Sequence, residues 1–323
     1  MSKYSNTSSV PMSLAVFLAS DSYDHDPETI SATALLKPIR QTILSSRLPA
    51  DITGPELSQQ MANRMGTAIH DGIERAWKGN YQQAMADIGL PAGVIKRVRI
   101  NPTKEELTDD IIPVYLEQRA YKQIRGYTIS GKFDFVGDGR VEDFKTSSVF
   151  MATSHKNDKK HSQQGSLYRW LNPAIITQDE MAIQYIFTDW MAARAKTDPK
   201  YPPNRFQQRI LPLMSLAETE HFVNGKLDLL EKFKDAEEAH LPLCDEEDLW
   251  RSEPVFKYYK NPEKTLRSTK NFDTMQEALI HKASIGVGII LEKPGQVMAC
   301  KYCAAFPLCS QKDVLIAAGD LVL

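Results

Sequence analysis

The spacing of apolar and polar residues along the chain predicts two early helices. Ser31 is a candidate N-cap, and Leu35, Ile39 and Ile43 follow it at helical spacing. A longer amphipathic helix is predicted over residues 57–77. Its predicted buried face consists of Met61, Met65, Ile69, Gly72, Ile73 and Ala76.

Strands and helices follow in mixed order. Strands are predicted at residues 94–100, 111–118 and 181–190, and a β-hairpin is predicted over residues 126–145. Further helices are predicted at residues 162–171, 216–240 and 274–285. This order predicts an α/β fold with a central mixed β-sheet flanked by helices. The predicted divisions are an N-terminal segment (1–56), a core (57–240) and a helical, cysteine-bearing C-terminal segment (241–323).

Composition and charge narrow the class of protein. The hydrophobic content of 42% fits a soluble globular chain. The formal net charge is −2, so a nucleic-acid site must be a local basic patch. No apolar run reaches the roughly 18 residues of a membrane span, and no signal peptide is recognised around residues 12–19. We therefore expect no membrane association and a cytoplasmic location, in the host cytoplasm if the gene is phage-encoded.

The candidate chemistry begins at the hairpin. Asp138-Gly139 predicts a type I′ turn, and the resulting register places Asp134 opposite Asp143. Side-chain alternation puts Lys145 on the same face and Glu142 on the opposite one. Two opposed carboxylates repel, so a divalent cation such as Mg²⁺ or Mn²⁺ is the predicted compensation. The alternative is a solvated sheet face on which Lys145 merely neutralises an aspartate.

Two pairs of helical residues accompany the hairpin. His70 and Glu74 are four residues apart, so both face one direction, and a neutral histidine can bind a metal. Gln164 and Tyr168 are also four apart, on the helix that follows the hairpin. Neither pair alone distinguishes a site from an ordinary helix face.

Four motifs occur in order: GTAIHDGIE (66–74), GKFDFV (131–136), VEDFKTSS (141–148) and QQGSLYRW (163–170). The ordered set resembles the PD-(D/E)XK nuclease superfamily, and most closely its RecB-like exonuclease branch. The resemblance covers residues 60–190, with a weaker similarity at 30–41, and implies a restriction-endonuclease-like core.

The resemblance implies a role for each matching residue. The implied metal ligands are His70, Asp134, Asp143 and the backbone carbonyl of Phe144. Lys145 would orient or acidify the attacking water and stabilise charge in the transition state. Gln164 and Tyr168 would position that lysine or the substrate phosphate, and Glu74 would support the metal site from outside.

The four cysteines indicate a second metal site. Cys300, Cys303 and Cys309 form C-x₂-C-x₅-C, and Cys244 is the remaining cysteine. In a reducing compartment such a cluster favours a structural metal over disulfides. Incidental buried thiols are the alternative.

The cysteine spacing resembles the C-terminal motif of iron–sulfur nucleases of the superfamily, including the helicase-linked AddB-type proteins and the CRISPR adaptation nucleases. In those proteins the fourth ligand lies near a cysteine-proline pair in the opening helix, where this chain has Lys37-Pro38. Cys244 could substitute. Zinc fits a four-cysteine site equally well, and the motif spacing favours a 4Fe–4S cluster.

These resemblances imply a metal-dependent DNA exonuclease of phage-type or bacterial recombination, repair or replication. DNA is the implied substrate, and an annealing protein or another recombination factor is the implied partner; the oligomeric state is not predicted. The alternatives are an endonuclease of the same fold and a non-catalytic DNA-binding subunit. Lys156, Lys159 and Lys160, in a predicted loop over residues 155–161, are candidate phosphate contacts, although charged loops are commonly just solvated.

Overall fold

The computed structural model describes residues 4–20, 26, 28–49, 54 and 56–323. The chain forms two compact units: Met1–Leu36 with Asp51–Lys226, and Lys37–Ala50 with Leu227–Leu323. This division differs from the predicted boundaries. Residues 37–50 join the C-terminal unit because Ile39, Ile43 and Leu44 pack into one apolar cluster with Leu241 and Ala305.

The regular elements of both units are numbered in chain order. The strands are β1 (Ile30–Ser31), β2 (Val98–Ile100), β3 (Ile112–Leu116), β4 (Arg119–Ile124), β5 (Tyr127–Lys132), β6 (Phe135–Gly137), β7 (Arg140–Ser147), β8 (Glu180–Phe187), β9 (Phe206–Pro212), β10 (Val255–Tyr259), β11 (Lys270–Phe272) and β12 (Ile289–Lys293). The helices are α1 (Met12–Ala19), α2 (Ala32–Leu35), α3 (Ile39–Ser46), α4 (Met61–Asp87), α5 (Ala92–Ile95), α6 (Val149–Thr153), α7 (Asp158–Leu171), α8 (Ala192–Thr197), α9 (Leu216–Phe233), α10 (Glu246–Leu249), α11 (Met275–Ile285) and α12 (Ser310–Ala317).

The core of the first unit is a six-stranded mixed sheet in the order β2-β3-β6-β7-β8-β9. The predicted hairpin register is present: Val136 pairs with Val141 and Gly137 with Arg140. Asp138 and Gly139 have φ of 50° and 73°, as both central residues of a type I′ turn require. The neighbouring three-stranded sheet has the order β1-β5-β4.

Helices cover both faces of β7. On one face, Gly66 of α4 lies against Thr146, and His70 makes an edge-on contact with the Phe144 ring. On the other face, Gln164 of α7 contacts Asp143. Because side chains alternate along a strand, this arrangement leaves Asp143 and Lys145 beneath α7, and Phe144 beneath α4. The fold is therefore the predicted mixed sheet flanked by helices.

The buried face predicted for α4 is wrong. Met61, Met65 and Ile69 are 36%, 44% and 37% exposed, whereas Trp77 and Tyr81 pack on the sheet. The side facing the sheet combines aromatic residues with His70 and small residues. A prediction from hydrophobicity alone therefore identifies the face of α4 next to the one that packs on the sheet.

Several other elements differ from their predictions at the ends. Residues 94–95 complete helix α5, so only 98–100 of the predicted strand 94–100 is extended. Two helices, α2 and α3, replace the single helix predicted after Ser31. Ser31 does cap α2 through its hydroxyl. The break at residues 36–38 contains Pro38, which precedes α3. The predicted helix 216–240 ends at residue 233. Within the part of the chain that the structure describes, no helix is both long and apolar enough to cross a membrane.

The second unit contains a three-stranded antiparallel sheet in the order β11-β10-β12. Helix α11 packs on this sheet, where His281 contacts the rings of Tyr258 and Phe272. Thr274 caps α11, at the predicted start of this helix. The cysteines lie elsewhere in the unit, on the loops and short 3₁₀ turns that precede α10 and α12.

Candidate active site

The structure brings the predicted residues of the four motifs together within the first unit. His70 projects from α4 between two parts of the hairpin. Its Nδ1 lies 3.4 Å from Asp134 Oδ2, and its Nε2 lies 2.8 Å from the carbonyl oxygen of Phe144. Three of the four implied metal-binding groups are thus in direct contact.

Asp134 lies immediately before β6, and the β6–β7 ladder ends at the pair Phe135–Glu142. Asp134 is therefore not a ladder partner of Asp143, contrary to the extrapolated register. Its carboxylate instead turns across to β7, where Oδ2 accepts a hydrogen bond of 3.0 Å from the backbone N–H of Phe144. Burial raises the pKa of Asp134, but the contacts with His70 and the charge of Lys145 outweigh it, so the pKa is lowered and the group is ionised.

Asp143 and Lys145 form a buried ion pair on the α7 side of β7. Asp143 is 1% exposed, and its Oδ2 lies 2.6 Å from Lys145 Nζ. Oδ2 makes no further hydrogen bond in the described chain. Burial raises the pKa of Asp143 to about 6; Lys145 opposes this rise and the charge of Asp134 adds to it. A carboxylate this costly to ionise is a group that a bound cation would stabilise.

Gln164 fixes the second oxygen of Asp143. Its Nε2 lies 3.2 Å from Asp143 Oδ1 and 2.8 Å from the hydroxyl of Tyr168. In this geometry the pair Gln164–Tyr168 orients the aspartate, whereas the resemblance implied contact with the lysine or the phosphate. Tyr168 itself is buried, which suits a supporting role.

Glu117 was missed by the sequence reasoning. Glu117, His70 and Asp134 each offer a ligand atom, and these atoms lie within 4.8 Å of one another. Burial raises the pKa of Glu117, partly offset by Lys132, whose Nζ lies 2.6 Å away. The available signal was an acidic residue at the end of the predicted strand 111–118, but that strand's partner could not be identified from local sequence.

His161 is a second residue close to the site. It belongs to α7, and its ring lies 6.2 Å from that of Tyr185, the β8 partner of Lys145. Burial lowers the pKa of His161 to about 4, and the charge of Lys145 contributes to the shift. A neutral imidazole therefore lies beside the lysine. The sequence predicts a loop over residues 155–161, whereas the structure places His161 in α7.

Two acidic residues near the motifs are engaged elsewhere. Glu142 accepts a hydrogen bond of 2.7 Å from Gln184 and pairs with Arg140 at 3.1 Å, on the face opposite Asp143. Glu74 pairs with Lys78 at 2.5 Å. Glu142 thus lies outside the constellation, as alternation predicted, and Glu74 is not a direct contact of His70.

The predicted basic loop is partly helical. Helix α7 begins at Asp158, so Lys159 and Lys160 lie on its first turn and Lys156 precedes it. Asp158 pairs with Arg209 at 2.8 Å and with His155 at 2.8 Å. The three lysines remain near the surface end of the helix that carries Gln164.

All four cysteines of the second unit line one cavity, together with Arg40 and Phe306. Burial raises the pKa of Cys244 to about 12, with smaller contributions from Asp248 and from the charges of the other three cysteines. The buried guanidinium of Arg40 donates to Cys309 Sγ at 3.2 Å. It also forms an ion pair with Glu238 and donates to the carbonyl of Leu241 at 3.1 Å.

No family model matches the sequence, and no curated protein matches it. Among solved structures, the fold is similar to the protein SSO0001, with 18% identity and a TM-score of 0.39, over 64% of this chain and 79% of that chain. It is also similar to a phage related exonuclease from Haemophilus somnus 129PT, with 11% identity and a TM-score of 0.29, over 64% of this chain and 93% of that chain. Both TM-scores are below 0.5.

Proposed function

We propose that this protein is a metal-dependent deoxyribonuclease. The observation that carries the proposal is the grouping of ligand atoms of His70, Glu117 and Asp134 within 4.8 Å of one another. The Phe144 carbonyl lies at the second ring nitrogen of His70, and the buried Asp143–Lys145 pair is near enough for the charge of Asp134 to act on Asp143. Hard oxygen donors with one imidazole suit Mg²⁺ or Mn²⁺. Asp143 Oδ2, which makes no contact beyond its ion pair with Lys145 in the described chain, offers a further oxygen ligand.

The residues divide into three groups by role. His70, Asp134, Asp143, Glu117 and the carbonyl of Phe144 would hold the cation, which supplies Lewis-acid activation of a water and of the phosphate. Lys145 places a positive charge next to Asp143, where it stabilises negative charge that develops on the phosphate oxygens. Gln164 and Tyr168 keep Asp143 in position through the bonds described above.

The finer assignment is a DNA exonuclease of a phage-type or bacterial recombination, repair or replication system, working with an annealing protein or another recombination factor. This assignment is supported by the ordered motifs and their resemblance to the RecB-like branch. An endonuclease of the same fold would use the same residues. A non-catalytic DNA-binding subunit is disfavoured because every motif position carries its functional side chain. Lys156, Lys159 and Lys160 are proposed as phosphate contacts.

A single assay separates these alternatives. A linear duplex labelled at either end and an internally labelled circular duplex are each incubated with Mg²⁺, Mn²⁺ or EDTA. An exonuclease degrades only the linear duplex, an endonuclease also cuts the circle, and EDTA abolishes both. An absence of cleavage with either metal, from protein whose circular dichroism shows a folded chain, would refute the proposal.

The cysteines are proposed to bind a structural metal centre. Backbone N–H groups of Ala305 and Phe306 donate to Cys303, and Arg40 donates to Cys309, so donors face the sulfurs as they do around metal-bound thiolates. A tetrahedral zinc site and an iron–sulfur cluster both take four such thiolates.

The spacing of the cysteine motif favours an iron–sulfur cluster over a single zinc ion. Anaerobically purified protein is expected to show an absorbance shoulder at about 400 nm and to contain iron and sulfide. A preparation that contains zinc alone would contradict the cluster assignment and leave the nuclease proposal intact.

A further inference from the structure

The loop between β10 and β11 carries an unusual concentration of positive charge. Residues 260–270 contain Lys260, Lys264, Arg267 and Lys270, and Glu263 is their only acidic residue. All four cations are exposed to solvent. None of the four forms a salt bridge in the described chain, where Arg and Lys side chains elsewhere commonly do.

The loop is held by hydrogen bonds at its base. The N–H of Thr269 donates to the Tyr258 carbonyl at 2.8 Å, and the N–H of Lys260 donates to the Thr269 hydroxyl at 3.1 Å. Below it, Tyr258 is buried and donates to the carbonyl of Val287 at 2.8 Å. The cations therefore project from a braced hairpin, which lowers the conformational entropy lost on binding a ligand.

The surrounding unit has the opposite charge balance. Outside residues 260–270, this unit contains fifteen Asp or Glu and eleven Lys or Arg side chains, and the whole chain has a formal net charge of −2. The positive charge of the loop is therefore local. A local basic patch on a net-negative protein attracts a polyanion to one place on the surface.

The middle of the loop adds an apolar contact. Leu266 is completely exposed, with a relative exposure of 106%, and lies between Lys264 and Arg267 in sequence. Burial of such a leucine on a ligand is favourable, and leucine side chains of DNA-binding proteins pack against bases and sugars. Cations that flank an exposed leucine suit a nucleic acid better than a small anion.

We propose that the 260–270 loop is a DNA-binding arm in which Lys260, Lys264 and Arg267 contact backbone phosphates. The choice of DNA over other polyanions rests on the proposed function. The arm is separate from the nuclease motifs in sequence and belongs to the other compact unit. It supplies affinity that does not depend on the metal site.

The test is DNA binding by fluorescence anisotropy in EDTA, with a short labelled duplex and the corresponding single strand as probes. The triple variant Lys260→Gln, Lys264→Gln, Arg267→Gln should bind at least about tenfold more weakly, and its plot of log affinity against log salt should be less steep by about three, since each lost phosphate contact removes about one. Leu266→Ser should weaken binding without changing that slope.

The matched control Lys104→Gln, Lys200→Gln, Lys234→Gln removes the same charge from exposed positions elsewhere and should keep at least most of the affinity and slope. Equal losses of DNA affinity in both triple variants would show that net charge alone causes the effect, and this would overturn the proposal. Unchanged DNA binding in the loop variant would also overturn the proposal. The loop would then be a candidate contact for an acidic protein surface. Because cleavage is blocked in EDTA, a loop-dependent binder that never cuts DNA would refute the proposed nuclease and not this inference.

Discussion

His70 Nε2 lies 2.8 Å from the carbonyl oxygen of Phe144. A carbonyl oxygen only accepts hydrogen bonds, so this nitrogen carries a proton. The other ring nitrogen faces Asp134, whose hydrogen bond is the largest cause of a rise in the pKa of His70 to about 8, against the opposing effect of burial. At neutral pH an imidazolium therefore lies among the oxygen atoms that are proposed to bind the metal ion.

Metal binding should consequently compete with a proton. A histidine must be neutral to bind a metal, so Mn²⁺ affinity should rise about tenfold per pH unit up to pH 8 and flatten above it. The pKa of Asp143, about 6, affects only the acidic part of this profile. Electron paramagnetic resonance of free Mn²⁺ measures the affinity directly.

Histidine variants identify the group that titrates. His70→Gln should bind Mn²⁺ more weakly and lose the rise between pH 6.5 and 8. His221→Gln, at an exposed position on α9, should keep the wild-type profile. A pH-independent affinity in the wild-type protein would exclude His70 as a ligand.

The hairpin could be predicted from sequence because its determinants are local. Asp138-Gly139 fixes the turn, the turn fixes the register, and alternation then separates Asp143 from Glu142. The same extrapolation failed one residue beyond the ladder, at Asp134. There the carboxylate bonds to the Phe144 N–H, and tertiary contacts decide its direction.

Glu117 and His161 could not be predicted because non-local packing brings them to the site. The N–H of Glu117 donates to the Asp134 carbonyl at 3.0 Å, a contact created by the pairing of β3 with β6. Glu117 also has a φ of 50°, which a strand pattern does not anticipate. His161 reaches Lys145 only because α7 starts earlier than its apolar pattern suggests.

Lys145→Met should affect both the rate of cleavage and the stability of the fold, and the two effects are measured separately. Loss of the ammonium should reduce cleavage by about 10²- to 10³-fold or more. It also leaves Asp143 buried without its cation, so the pKa of Asp143 should rise further above its unfolded value. Ionisation then destabilises the fold, and the penalty in metal-free protein should be small at pH 5 and reach about 3 kcal/mol at pH 8.

Thermal unfolding of wild type and variant at the two pH values checks the stability part. Lys104→Met, at an exposed position, is the control for loss of a lysine. A variant that cleaves DNA at the wild-type rate would remove Lys145 from the mechanism. A penalty of equal size at both pH values would show that lost packing, not the charge of Asp143, causes the destabilisation.

Glu117→Gln tests a proposed ligand that the sequence does not predict. The amide keeps the shape but loses the charge, so Mn²⁺ affinity should fall about 10- to 100-fold, the range for groups that hold or support a metal. Glu142→Gln changes the same residue type on the opposite face, where it pairs with Arg140 and Gln184, and should leave Mn²⁺ affinity unchanged. Calorimetric titration of both variants gives the comparison, and equal affinities would place Glu117 outside the site.

Variants of Cys244 and Arg40 test the proposed second metal centre. Cys244→Ser removes one of the four proposed ligands, so the metal content and the absorbance at about 400 nm should fall together.

Arg40→Gln keeps all four cysteines but loses the donor to Cys309 Sγ, so metal should still bind and should be released faster to a chelator. Arg40→Lys retains the charge without the forked geometry of the guanidinium. Its rate of metal release should lie between those of the wild-type protein and Arg40→Gln. Since Arg40 also pairs with Glu238, circular dichroism must first show that each variant is folded. Full metal content in folded Cys244→Ser would mean that Cys300, Cys303 and Cys309 suffice without it.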